Sequence, residues 1–169
     1  DVYTTRDILK VGGGAMASVH LICGFMGTGK TTIARRLAMQ MNAVRLTHAE
    51  FMADLYGADI PESEFQSKWD KVDKLIWNLA EQIVCAGGNV ILDYGFWSRE
   101  SRQKAVERAK IFCDSITFHQ VECDFETAKK RLRERDAGKL DEAAFDALAQ
   151  KYEPIGTDER FDVIYYRNV

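Results

Sequence analysis

No apolar run in the chain approaches the ~20 residues that a membrane-spanning helix needs, which excludes such a span. No two cysteines stand in C-x-x-C spacing and none clusters with histidine. Cys23, Cys85, Cys113 and Cys123 are scattered, mostly in apolar surroundings, which argues for buried reduced thiols over disulfides or zinc ligands. No stretch reads as a secretory signal, and with reduced thiols this makes a cytoplasmic protein the expectation. Positive charge is not in excess: 23 Lys and Arg against 26 Asp and Glu leave −3, so no overall basic field favours nucleic acid, although a local basic patch stays open. Internal repeats and low-complexity tracts are absent as well. What is present is ordinary for a globular chain: 169 residues, 46% hydrophobic and 29% charged, enough for one domain with a full core.

Residues 1–18 stand apart from the rest. A mixed polar stretch, Asp1 to Val11, leads into the spacer Gly12-Gly13-Gly14, and Ala15-Met16-Ala17-Ser18 resembles a cloning scar with a start methionine inside it. Two readings stay open. The segment is an expression leader, or it is a peptide tethered on purpose, with three hydroxyls in a row at Tyr3, Thr4 and Thr5. The domain proper is then 19–169.

The most informative stretch is Gly24-Phe25-Met26-Gly27-Thr28-Gly29-Lys30-Thr31, which fits the phosphate-binding pattern G-x-x-x-x-G-K-[ST] at every required position. The apolar run Val19 to Cys23 before it reads as a buried strand, and Ile33 to Met39 after it as an amphipathic helix. Strand, loop and helix are the setting in which this pattern holds a triphosphate. The glycines let backbone N–H groups turn inward, and the helix beginning near Lys30 adds the positive end of its dipole. Lys30 is expected to reach the β- and γ-phosphates of ATP and Thr31 to bind Mg²⁺. Phe25, Met26, Gly27, Thr28, Gly29 and Thr32 complete the expected nucleotide-binding set.

Downstream, strands and helices alternate. Strands are expected at Ala43–Leu46, Asn89–Asp93, Ser115–Val121 and Phe161–Tyr165. Helices are expected from Glu62 to Ala86, from Ser98 to Ala109, from Asp124 to Arg135 and from Asp141 to Tyr152, with loops at 94–97 and 154–160. In the long helix Phe65, Trp69, Val72, Ile76, Leu79 and Ile83 form one stripe that reads as core. The alternation implies a three-layer α/β domain, a parallel sheet with helices on both faces.

Asp93 closes an apolar strand, where an unpartnered carboxylate is costly; it is the expected second metal position, a turn or capping aspartate being the alternative. Arg99 and Arg102 follow on one helical face and are candidates to meet phosphate or an anionic acceptor, with a solvated face as the alternative. The densest basic run is Lys129 to Arg135. It ends at the Ala137-Gly138-Lys139 break, so Arg131 and Arg135 are candidates to close over the triphosphate as part of a lid.

Taken together, the glycine loop, the strand ending in Asp93, the Arg99/Arg102 pair and the arginine run resemble the small P-loop kinases related to polynucleotide kinase, zeta toxin and chloramphenicol phosphotransferase. The resemblance is greatest to the bacterial AAA-domain ATP-binding proteins of that group, where a segment like Asp93-Tyr94-Gly95-Phe96-Trp97-Ser98-Arg99 recurs, and it covers about residues 19–166. It implies ATP-dependent phosphorylation of a hydroxyl on a five-stranded parallel sheet bearing a lid. The acceptor stays open among a protein or peptide side chain like residues 1–11, a small molecule, and a nucleic-acid end, the last not favoured by the charge. The chain departs from the resemblance at Ala49, where these kinases carry an aspartate that takes the acceptor's proton. Glu50 is the expected substitute, and His48 a weaker one. Ala49 is either natural, which favours an ATP-binding or hydrolysing switch without an acceptor, or an inactivating replacement.

Overall fold

The computed structural model describes residues 17–136, 138 and 140–167. The leader up to residue 16, and with it the tethered-peptide reading, lies outside the described residues, as do Ala137 and Lys139 of the helix break.

Five strands form one all-parallel sheet in the order β2-β3-β1-β4-β5: β1 Val19–Cys23, β2 Ala43–Leu46, β3 Asn89–Gly95, β4 Ile116–Glu122 and β5 Val163–Arg167. Six helices alternate with them: α1 Lys30–Gln40, α2 His48–Tyr56, α3 Glu62–Cys85, α4 Arg99–Ala109, α5 Phe125–Arg135 and α6 Glu142–Ala149. The central strand β1 is buried along its whole length and reads as a continuous apolar run because both faces are covered. Val19, Leu21 and Cys23 point to a core shared with Val72, Ile76, Ala80 and Val84 of α3 and Ala105, Val106 and Ala109 of α4. Ile22, beside Ile91 of β3, points to the opposite face and meets Ile33, Ala34 and Leu37 of α1. Among the described residues no helix is long and apolar enough to cross a membrane.

Local chemistry sets the helix starts. Ser98 accepts from the Ser101 backbone N–H at 3.1 Å while the Ser98 N–H donates to the Ser101 hydroxyl at 3.2 Å, a reciprocal cap on α4. Asp124 and Asp141 cap α5 and α6 in the same position.

Several boundaries differ from expectation. β3 runs on through Tyr94 to Gly95 instead of opening into a loop at Tyr94, because Gly95 still pairs with Cys23 across a register shift. β5 lies two residues later than expected: Phe161 packs its ring on Phe118 and the Asp162 carbonyl receives the Phe118 N–H before the strand begins. α6 stops at Ala149, with Asp141 only its cap. The buried line of α3 is Val72, Ile76, Trp77, Ala80 and Val84. Phe65 is exposed and Trp69 half-buried, so the N-terminal end of the expected apolar stripe is not core, while Leu79 and Ile83 are partly buried against the core. Ala17 packs against the core and Ser18 hydrogen-bonds Asn89 and His20, so among the described residues these two also belong to the packed unit.

Candidate functional site

The glycine loop sits where β1 meets α1, at the carboxyl end of the sheet. Its start is pinned to β3: the Gly24 N–H donates to the Gly95 carbonyl at 3.0 Å. Gly27 has φ 76°, and a Cβ there would stand 2.7 Å from the Ala128 carbonyl of α5, so only glycine lets the loop and α5 approach this closely. Gly29, also left-handed at φ 98°, precedes the first turn of α1.

The Phe25 side chain faces away from a phosphate site. Its ring is buried in an aromatic cluster with Trp97, Phe125, Phe145 and Tyr152, at centroid distances of 4.9 to 5.7 Å. Met26 is half-buried against the same cluster. These two side chains anchor the loop from below, since an apolar cluster is the cheaper place for them than a phosphate site. What Phe25 offers the site is its carbonyl, which accepts from Lys30 Nζ at 2.6 Å and from the Thr28 hydroxyl at 2.8 Å. Thr31 and Thr32 are exposed on the first turn of α1.

Asp93 lies in the strand beside the loop, 7% exposed. Burial raises its carboxyl above the usual aspartate value, opposed by the positive charges of Arg45 and Lys30. Burial likewise lowers Lys30, and the nearby Asp93 charge works against that shift. The two groups therefore feel one another across the cleft. Arg45 of β2 donates to Asp93 at 3.0 Å and also binds Glu50, which pairs with Arg35 at 3.6 Å. Sequence reasoning missed Arg45. The available signal was an arginine inside a short apolar strand, destined to lie next to the strand that carries a buried aspartate.

The remaining candidates divide. Arg131 of α5 reaches the Thr28 carbonyl at 3.4 Å, and the Arg135 charge is felt at Lys30, although Arg135 itself is exposed and paired with Asp136. Arg99 is not brought to the loop: its guanidinium holds Asp158 through two bonds of 2.6 and 2.9 Å. Arg102 is neither phosphate-facing nor solvated. It is fully buried, bound to Glu159 by two 2.8 Å bonds and to the Phe96 and Glu153 carbonyls at 2.9 and 2.7 Å. Ala49 is exposed on the first turn of α2. His48 is buried and stacked on Trp69, its Nε2 facing the Trp69 carbonyl at 3.0 Å, which makes it part of the packing.

A groove of about 600 Å³ opens from Lys30 and runs between α3 and α4. Trp69, Asp73 and Trp77 form the α3 wall; Ser101, Lys104, Ala105 and Arg108 form the α4 wall. Tyr94, Phe96, Trp97 and Ser98 line it from the end of β3 and the loop beyond. Arg108 lies over the Trp77 ring at 4.4 Å and binds Asp73 at 2.6 Å. The Tyr94 hydroxyl is buried without a hydrogen bond among the described residues; burial and the neighbouring Asp73 push its phenol up. Of these groove residues Trp69 was expected as core. Side-chain period cannot distinguish a helix face that meets the sheet from one that overhangs it.

A glycine loop between β1 and α1, an aspartate on the neighbouring strand and an arginine-bearing helix above, all on a parallel sheet of this order, define a P-loop domain of kinase-type fold. More particularly, the chain belongs to the AAA_33 family of AAA domains, whose model matches residues 19–155. Solved structures share the fold. A candidate kinase from Chloroflexus aurantiacus J-10-fl superposes with TM-score 0.72 at 16% identity, covering 92% of this chain and 87% of that one. Chaetomium thermophilum Kti12, solved with ADP-AlF3, gives 0.68 at 17% identity, covering 89% of each chain. A gluconokinase from Sinorhizobium meliloti 1021 gives 0.59 at 11% identity, covering 90% of this chain and 84% of its own. At these identities the likeness is one of fold. None of the curated proteins compared with the chain matches it.

Proposed function

We propose that the protein is an ATP-dependent phosphotransferase that moves the γ-phosphate to a hydroxyl acceptor. One observation carries this reading: Lys30 belongs both to the phosphate loop and to the wall of the groove between α3 and α4. A γ-phosphate held at Lys30 would face a cavity of acceptor size, which a nucleotide switch does not need. In this reading the loop N–H groups and Lys30 bind the phosphates, and Arg131 and Arg135 approach from α5 to spread the charge of the transferring group.

The oxygen donors of Thr31 and Asp93 fit Mg²⁺, a hard cation. Among the described residues no group of three or more His, Cys, Asp and Glu could hold a metal by itself, so the triphosphate would complete its shell. When bound, the ion neutralises phosphate charge.

The proton acceptor is the open part. Glu50 is the carboxylate nearest position 49, but it is tied to Arg45 and Arg35, and Ala49 presents only a methyl group. That observation favours a second reading, a nucleotide-binding switch with slow hydrolysis. Incubation with ATP labelled at the γ-phosphate separates the two. Label moving to a hydroxyl compound supports phosphotransfer, label found only in inorganic phosphate supports the switch, and failure of ATP to bind refutes both.

A further inference from the structure

The groove's polar groups are almost all engaged within the protein. The Ser98 and Ser101 hydroxyls are committed to the cap of α4. Arg108 is held by Asp73 and the Trp77 face. A sugar, which needs a ring of free donors and acceptors, would leave its own hydroxyls unsatisfied here. What an incoming molecule meets is ring surface: Trp69, Phe96, Trp97 and Tyr94. Of the lining charges, Arg108 is paired with Asp73 and Lys104 with Glu100, which leaves Lys30 as the charge at the mouth and disfavours a cation. A cavity of about 600 Å³ suits one drug-sized molecule rather than a folded partner.

We propose that the groove between α3 and α4 is the acceptor site and that its acceptor is a small neutral or anionic molecule with a planar aromatic ring and a free hydroxyl. This rests on the phosphotransferase reading. The ring lies among Trp69, Phe96 and Trp97, and the hydroxyl is presented at the Lys30 end. Its oxygen forms a bond to the γ-phosphorus as the bond from that phosphorus to the β-phosphate bridge oxygen breaks. The products are a phosphate monoester, ADP and a proton released to water.

The test supplies γ-labelled ATP and Mg²⁺ with two ring alcohols, benzyl alcohol and hydroxymethylbenzoate. Cyclohexylmethanol, gluconate, a serine peptide and a short oligonucleotide with a free terminal hydroxyl run alongside. Label on at least one ring alcohol, with cyclohexylmethanol and gluconate unlabelled, is the expected result. If ATP binds but neither ring alcohol is labelled, or label appears only on gluconate, the peptide or the oligonucleotide, the groove assignment is overturned while the nucleotide reading stands. If ATP does not bind at all, the phosphotransferase reading itself fails. Trp69→Leu should weaken ring-alcohol binding about tenfold, from loss of one aromatic partner. Lys104 is exposed, so Lys104→Glu should fold; it should weaken hydroxymethylbenzoate about two- to fivefold and neutral benzyl alcohol less. Equal effects on both compounds would rule out the proposed orientation.

Discussion

Arg102 is the residue whose substitution best separates structural support from phosphate chemistry. Its side chain is fully buried, and four donated bonds of 2.7 to 2.9 Å hold the Glu159 carboxylate and the carbonyls of Phe96 and Glu153. Burial alone would raise the Glu159 carboxyl; Arg102 and the Gly156 N–H more than offset that and bring it below its ordinary value. Arg102→Met keeps an apolar stem and removes every donor. Glu159 is then left as a buried, uncompensated charge, its side chain only 6% exposed. Breaking one partner out of a buried pair costs about 3–5 kcal/mol. For a domain of this size each kcal/mol lowers the midpoint of thermal unfolding by about 2–4 °C, so a fall of roughly 6–20 °C is expected. Phe96, left-handed at φ 43°, also loses the shorter of the two bonds to its carbonyl and keeps only the Cys23 thiol at 3.3 Å, so the groove should loosen. The assay is thermal and urea unfolding of Arg102→Met and of the double variant Arg102→Met with Glu159→Gln. The double variant should regain part of the loss, because the stranded charge is gone. A single variant of unchanged stability with reduced ATP affinity would refute this reasoning and return Arg102 to the phosphates.

Three further outcomes follow from the geometry. Gly27→Ala places a Cβ against the Ala128 carbonyl in a left-handed backbone, strain of about 1–3 kcal/mol, and should weaken ATP binding about tenfold or more as measured by nucleotide titration; unchanged affinity would mean the loop does not approach α5 this closely. Burial keeps the hydrogen-bonded pair His20 and His119 neutral, lowering both, His119 to about 4, so between pH 6.5 and about 4 the unfolded chain binds more protons; urea stability should fall as pH drops through that window, and His119→Gln should flatten the fall, whereas an identical profile would exclude the pair. Ala49→Asp should raise phosphotransfer by about 10²-fold or more, the scale of a positioned general base, in a label-transfer assay; no gain would favour the switch.

Much of the architecture was readable because it rests on local rules. The loop pattern with a strand before it and a helix after it, the caps at Ser98, Asp124 and Asp141, and the apolar strand that carries Asp93 each declare themselves within a few residues. Less legible were features set by which element lies beside which. Phe25 occupies a variable position of the loop pattern, and nothing within that pattern shows that Phe125, Phe145 and Tyr152 will gather beneath it. Arg99 and Arg102 look alike in the chain, three residues apart. Only the return of residues 153–159 beside α4 makes one a buried tie and the other a surface clamp.

The sequence by itself determined that a phosphate loop stands at the end of a buried strand, and that strands alternate with helices, since glycine placement, capping and hydrophobic period act over one turn or one strand. Tertiary structure decided the rest: Arg45 beside Asp93, Trp69 lining a groove, Lys30 at its mouth. Those relations depend on strand order and on which part of α3 packs into the core, and both are settled by packing between segments far apart in the chain.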